Sequence, residues 1–175
     1  MSAASRAVIA VVGAGDAPAE VRRLAYELGF ALAAGGADVV CGGLGGVMEA
    51  AAEGARAAGG HTLGILPGGD RGSANRHIEF AVATGMGEAR NVIVVRSADA
   101  VVALAGEAGT LSEIAFALKI GRPVIALRSW KEIEGIRRAD TPAEAAALAL
   151  EFTKPQCAGR DECDGRTPKS GTHTA

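Results

Sequence analysis

Apolar residues fall into two alternating patterns along this chain: short unbroken runs that end at glycine, and longer stretches where they recur every three or four positions. Runs of the first kind predict strands at Ala7 to Val12, Asp38 to Cys41, His61 to Leu66, Asp99 to Leu104 and Pro123 to Leu127. Stretches of the second kind predict helices between them. One opens at Pro18, runs through Leu24, Leu28 and Leu32, and stops at Gly35-Gly36. An Ala-rich helix follows GGLGG and ends at Gly59-Gly60, another spans Thr110 to Ile120, and a last one starts where Thr141 caps and Pro142 takes the first helical position. The run NVIVV fits a strand or a buried helix equally by period. We read a helix from Glu88 to Ser97, because a strand there would sit three residues before the next one and make a hairpin in an otherwise parallel pattern. Strand and helix in alternation predict βαβ units, and so a single α/β domain over 1–152: a doubly wound, mostly parallel, Rossmann-like sheet with helices on both faces.

Composition sharpens this picture in two places. Only 3% of residues are aromatic while glycine reaches 25, so small aliphatic side chains must fill the core, which suits close helix-on-sheet packing. From Thr153 onward the chain is polar, with too little apolar surface to offset the entropy of ordering, and we read residues 153–175 as a disordered tail. The net charge of -2, with both signs interspersed, gives no broad footprint for nucleic acid. Cys41, Cys157 and Cys163 make an odd set and imply no disulfide framework, which favours a cytoplasmic setting. AVIAVV is short for a signal-peptide core and reads as the first strand. No apolar run approaches the roughly 20 residues of a membrane span.

Candidate chemistry lies where strands run out into glycine. In a parallel sheet the carboxyl ends share one edge, where helix N-termini favour anions, so the loops at 42–46, 67–73 and 105–110 should converge. Gly42, Gly43, Gly45 and Gly46 in one loop, and Gly106, Gly109 and Thr110 in another, have the makings of a phosphate cradle, with Gly13 and Met48 beside it. Tight turns and close helix packing would explain the same glycines. Gly13-Ala14-Gly15 opens like a dinucleotide fingerprint, but Pro18 stands where its third glycine belongs. His61 and His77 lack metal-ligand spacing, so no metal site is assigned. Glu113 lies one helical turn after Thr110 and should point into the crevice, and Arg90, after TGMGEA, can bring a fixed positive charge to it. The pair could stabilise an oxocarbenium-like centre at a sugar, or could be a dipole-satisfying glutamate and a surface arginine.

The motifs GGLGGVMEAA, TGMGEARN and AGEAGTLSEIAFAL, in that order, resemble those of the LOG-like proteins once labelled lysine decarboxylases. Within that group TGMGEARNVIVV followed by GTLSEIAFALK is most like the bacterial branch containing the molybdenum cofactor carrier proteins. The resemblance covers about residues 6 to 150. It implies a homodimer or homotetramer and two alternative functions. One is a phosphoribohydrolase that cleaves the N-glycosidic bond of a nucleoside 5'-monophosphate with Arg90 and Glu113 as catalytic residues and no cofactor. The other is a non-catalytic carrier that binds molybdenum cofactor. The chain departs from the LOG loop PGGxGTxxE at Ala105, in place of Pro, and at Glu107, in place of the second Gly, where an acid would repel a bound phosphate. Cys41 stands where the first glycine of the other loop would be. The lysines Lys119, Lys131, Lys154 and Lys169 lie outside the strand-end loops, which leaves the decarboxylase label without a residue to hold a pyridoxal aldehyde.

Overall fold

The computed structural model describes residues 6–130 and 132–153. The predicted tail, with Cys157 and Cys163, lies outside the described residues apart from Thr153. Seven parallel strands form one sheet in the order β4-β3-β2-β1-β5-β6-β7, with β1 Val8–Val12, β2 Asp38–Cys41, β3 Thr62–Leu66, β4 Phe80–Ala83, β5 Ala100–Ala103, β6 Val124–Leu127 and β7 Arg137–Ala139. The helices are α1 Ala19–Ala34, α2 Val47–Ala57, α3 Asn91–Arg96, α4 Ala108–Lys119 and α5 Pro142–Glu151. Alternate side chains of each central strand reach opposite faces. Ile9, Val11, Val39 and Val102 pack with α1, α2 and α5, while Ala10, Val12, Val40 and Val101 pack with α3 and α4. This is the doubly wound α/β arrangement that the alternating pattern predicts.

The predicted helix at Glu88 to Ser97 is present as a 3-10 turn, Gly87–Arg90, running into α3. Two strands escape the periodicity. β4, Phe-Ala-Val-Ala, is an edge strand with Phe80 and Val82 exposed, so its alternation is not the buried run that marks the central strands. β7 is three residues, Arg-Arg-Ala, at the opposite edge, with no apolar run to announce it. At the last helix Thr141 Oγ1 accepts from the Glu144 amide at 3.2 Å, and Pro142 is the first helical residue, as the sequence predicts.

Close packing of α1 on α2 depends on two glycines that face across the contact. A methyl group at Gly29 would collide with the Ala51 carbonyl oxygen, and one at Gly54 with that of Tyr26. At an open helical position Gly to Ala gains up to about 1 kcal/mol of helix propensity. Here the sign reverses, because backbone must move to admit the methyl: Gly29→Ala and Gly54→Ala should each destabilise by about 1–3 kcal/mol, read as lower urea midpoints.

Candidate functional site

Strand order reverses between β1 and β5, since the chain winds outward from β1 through β2, β3 and β4 on one side, then returns to build β5, β6 and β7 on the other. Loops leaving β1 and β5 therefore part in opposite directions and open a crevice at the carboxyl edge. The structure has a cleft of about 360 Å³ there. Its wall comes from the β1 loop (Gly13, Ala14, Gly15, Asp16), from Gly42, Leu44 and Met48 around the start of α2, from Glu88, Arg90 and Asn91, and from Glu107, Gly109, Thr110 and Glu113 of α4. Backbone hydrogen bonds stitch these loops together. The Ala14 amide donates to the Ala105 carbonyl at 2.9 Å, and Val47 N–H donates to the Ala14 carbonyl at 3.0 Å.

Of the residues singled out from sequence, Gly13, Gly42, Met48, Arg90, Gly109, Thr110 and Glu113 line this cleft, whereas Gly43, Gly45, Gly46 and Gly106 do not. The latter four pack loop on loop: a methyl at Gly46 would strike the Ala14 carbonyl oxygen, and one at Gly106 would strike Thr110 Oγ1. The expectation for the 67–73 loop needs correction too. It leaves β3, two strands from the switch point, and does not reach the cleft wall. It acts at one remove: Gly85 donates to the Gly68 carbonyl at 3.0 Å and Gly87 to that of Pro67 at 3.0 Å, which anchors the turn carrying Arg90.

Arg90 and Glu113 meet across the cleft's inner wall. Arg90 Nη1 lies 3.7 Å from Glu113 Oε1, and both side chains are only 8% exposed. That separation is Coulombic contact without a hydrogen bond. The guanidinium rests on Gly42, where a methyl would come within 2.6 Å of Nη1 and 2.7 Å of Met48 Sδ, so the missing side chain is the seat for Arg90. Arg90 Nε has no partner among the described residues. Burial pushes the Glu113 carboxyl from 4.5 up to about 7; Arg90 opposes the rise and Glu88 adds to it. Beneath them the buried Cys41 thiol is pushed up to about 11 by desolvation and receives the Gly43 amide at 3.4 Å, so it is an inert packing residue.

Asn91 also lines the cleft, and no motif marks it: its one signal in the sequence is a polar residue directly after Arg90 at the start of a buried helix. Its Nδ2 donates to Ser112 Oγ at 3.0 Å and reaches the Gly109 carbonyl at 3.5 Å, while Ser112 Oγ donates to that same carbonyl at 2.7 Å. With the Ser112 proton committed, only the amide nitrogen of Asn91 can face it, which fixes the side-chain orientation. Asn91 thereby ties the start of α3, directly after Arg90, to α4, which carries Glu113. The cleft is acidic: Asp16, Glu88, Glu107 and Glu113 line it against the single cation Arg90.

A family model described as the SLOG cluster4 family matches residues 6–155. The chain belongs to that family. Among relatives of this SLOG protein, an Archaeoglobus fulgidus protein is 47% identical over 142 residues, covering 81% of this chain and 93% of its own. The cytokinin riboside 5'-monophosphate phosphoribohydrolase of Mycobacterium tuberculosis is 35% identical over 133 residues, 68% of each chain. Among solved structures, the molybdenum cofactor binding protein of Rippkaea orientalis superimposes with a TM-score of 0.81 at 34% identity, covering 86% of this chain and 99% of that one. The molybdenum cofactor carrier protein of Chlamydomonas reinhardtii gives 0.77 at 32%, covering 85% and 99%. The LOG-like resemblance read from the motifs is thus correct.

The raised Glu113 value carries a sign that can be measured. Between about 4.5 and 7 the folded SLOG protein holds a proton at Glu113 that the unfolded chain has released, so stability falls as pH rises through this window and levels off above it. Denaturant titrations of the wild type and Glu113→Gln should show the difference between them changing in that direction from pH 5 to 8, by about 2–3 kcal/mol, with the wild type relatively weaker at the higher pH.

Proposed function

We propose that this protein binds and holds a phosphate-bearing pterin of the molybdenum cofactor class, without cleaving it. The observation that carries this reading is the pairing of an intact cleft with an altered phosphate loop. A phosphoribohydrolase needs the 5'-phosphate seated at the start of α4 so that the sugar reaches Glu113, and Glu107 stands in that loop, exposed on the cleft wall with no capping hydrogen bond. An ionised carboxylate beside a dianion opposes that pose. A carrier has no reacting atom to align and can take its phosphate elsewhere, at the start of α2, where Met48 lines the cleft. The cleft has the volume of a small-molecule site, and Leu44 and Met48 bring apolar surface to a lining of backbone, polar and charged groups. Likeness to the Rippkaea and Chlamydomonas proteins over nearly their whole length supports the same reading.

Nucleoside monophosphate hydrolysis is the second reading, favoured by the buried Arg90 and Glu113 and by the relative from Mycobacterium tuberculosis. In that reading Glu113 stabilises the cationic sugar and Arg90 holds the phosphate or departing base, with no cofactor.

The two readings separate in one pair of assays. Protein mixed with molybdenum cofactor under anaerobic conditions and passed through a desalting column should retain the pterin, detected by fluorescence after oxidation. The same protein incubated with AMP, GMP and IMP should release no free base by chromatography. Catalytic release of a base that is lost in Glu113→Gln would instead establish the hydrolase.

A further inference from the structure

Glu113 and Arg90 are both left short of partners. The carboxylate accepts no hydrogen bond among the described residues and opens on the cleft, and the guanidinium donates none, its nearest charged neighbour being Glu113 at 3.7 Å. A buried carboxylate that accepts nothing is costly, and an ion pair held just beyond hydrogen-bond length recovers only part of that cost. What stands open on this wall is the Nη end of the Arg90 guanidinium beside two acceptor oxygens. Beside it Met48 lines the cleft, with a thioether to lie against a flat ring, and half-buried Leu44 adds apolar surface.

We propose that this wall reads the hydrogen-bonding edge shared by pterins and guanine: Glu113 accepts from the ring N–H and the adjacent amino group, and Arg90 donates to the ring carbonyl. Such an edge presents acceptor, donor, donor in a row, and Arg90 with the two Glu113 oxygens presents the complement. The wall itself points to this class rather than to a phosphate, since a dianion at Arg90 would sit against Glu113 and Glu88. An adenine edge presents a donor and a ring-nitrogen lone pair, and that lone pair would face an ionised carboxylate. The ligand is then oriented with its heterocycle toward Arg90 and Glu113 and its phosphate toward the start of α2, away from Glu107. Asn91, bonded to Ser112 and Gly109, is a positioning residue that sets the spacing of the pair.

The inference rests on the carrier reading for its choice of a pterin, yet it is tested on ligands of its own. Calorimetric titration of the full chain with GMP, IMP, AMP and a 6-substituted pterin should give GMP and the pterin affinities about tenfold or more above AMP, with IMP, which lacks the amino group, weaker than GMP. Protonation of Glu113 removes one acceptor, so GMP affinity should drop as pH is lowered from 8 to 6. Other titratable or charged groups face Glu113: Arg90 and Glu88 from the turn before α3, Asp16 from the β1 loop, Glu107 from the start of α4 and Cys41 from β2. Glu113→Gln keeps all of these and should lose both the GMP preference and its pH dependence.

AMP binding as tight as GMP, a GMP preference that survives in Glu113→Gln, or no binding of either GMP or the pterin at millimolar concentration would each overturn the inference. The wild-type ligand series and pH profile decide it even if the variant fails to fold. Failure of the carrier reading looks different: guanine preference without retention of molybdenum cofactor sinks that reading alone, and retention with AMP preferred sinks this one alone.

Discussion

A guanidinium and a carboxylate share one buried wall of this protein, 3.7 Å apart, close enough to feel each other's charge and too far to satisfy each other's hydrogen bonds. Desolvation outweighs the attraction, which is why Glu113 titrates near 7 although a cation faces it. Much of the surrounding structure maintains that separation. Gly42 gives Arg90 its seat, Asn91 fastens α3 to α4, and Pro67 and Gly68 hold the turn from which Arg90 projects. Were the two side chains free to close into a bidentate pair, the wall would be self-satisfied and would have little to offer a ligand.

Topology supplies the place for this pair. β1 and β5 are neighbours whose connections leave in opposite directions, so the crevice exists before any side chain is chosen. The glycines then split into two kinds of work. Gly46 and Gly106 bring loops against each other and against Thr110, while Gly42 and Gly109 lie on the cleft wall, with open space beside Gly109. This is why a count of glycines at strand ends overstates a phosphate cradle: the same residue type serves packing at one position and ligand access three residues away.

Central strands are legible because burial on both faces writes an unbroken apolar run, and only its spacing to β5 distinguishes the helix at 91–96 from a strand. Edge strands left no such mark: Phe80–Ala83 pairs on one side and exposes alternate residues, and Arg137–Ala139 is held by its neighbour β6 rather than by its own composition. The facing of Arg90 and Glu113 could be read from motif order because each residue sits at a fixed offset from a strand end. The placing of loop 67–73 could not, since it depends on lateral distance from the switch point, which strand order alone determines. Asn91 was hidden for another reason, since its role is a hydrogen bond to a residue 21 positions away that no local pattern encodes.

Under the proposed reading, carriage and cleavage make opposite demands on the same carboxylate. To stabilise a cationic sugar, Glu113 must have its oxygens free beside the anomeric carbon, which places the base beyond it and the phosphate against the start of α4. To hold a heterocycle by its N–H and amino groups, those oxygens must already be engaged, which turns the ligand end for end and moves the phosphate away from Glu107. One acidic residue in the α4 loop therefore weighs on which end of a ligand enters first. The fold and the Arg90–Glu113 pair can be common to both activities, with the orientation of the bound molecule deciding whether a bond is broken or protected.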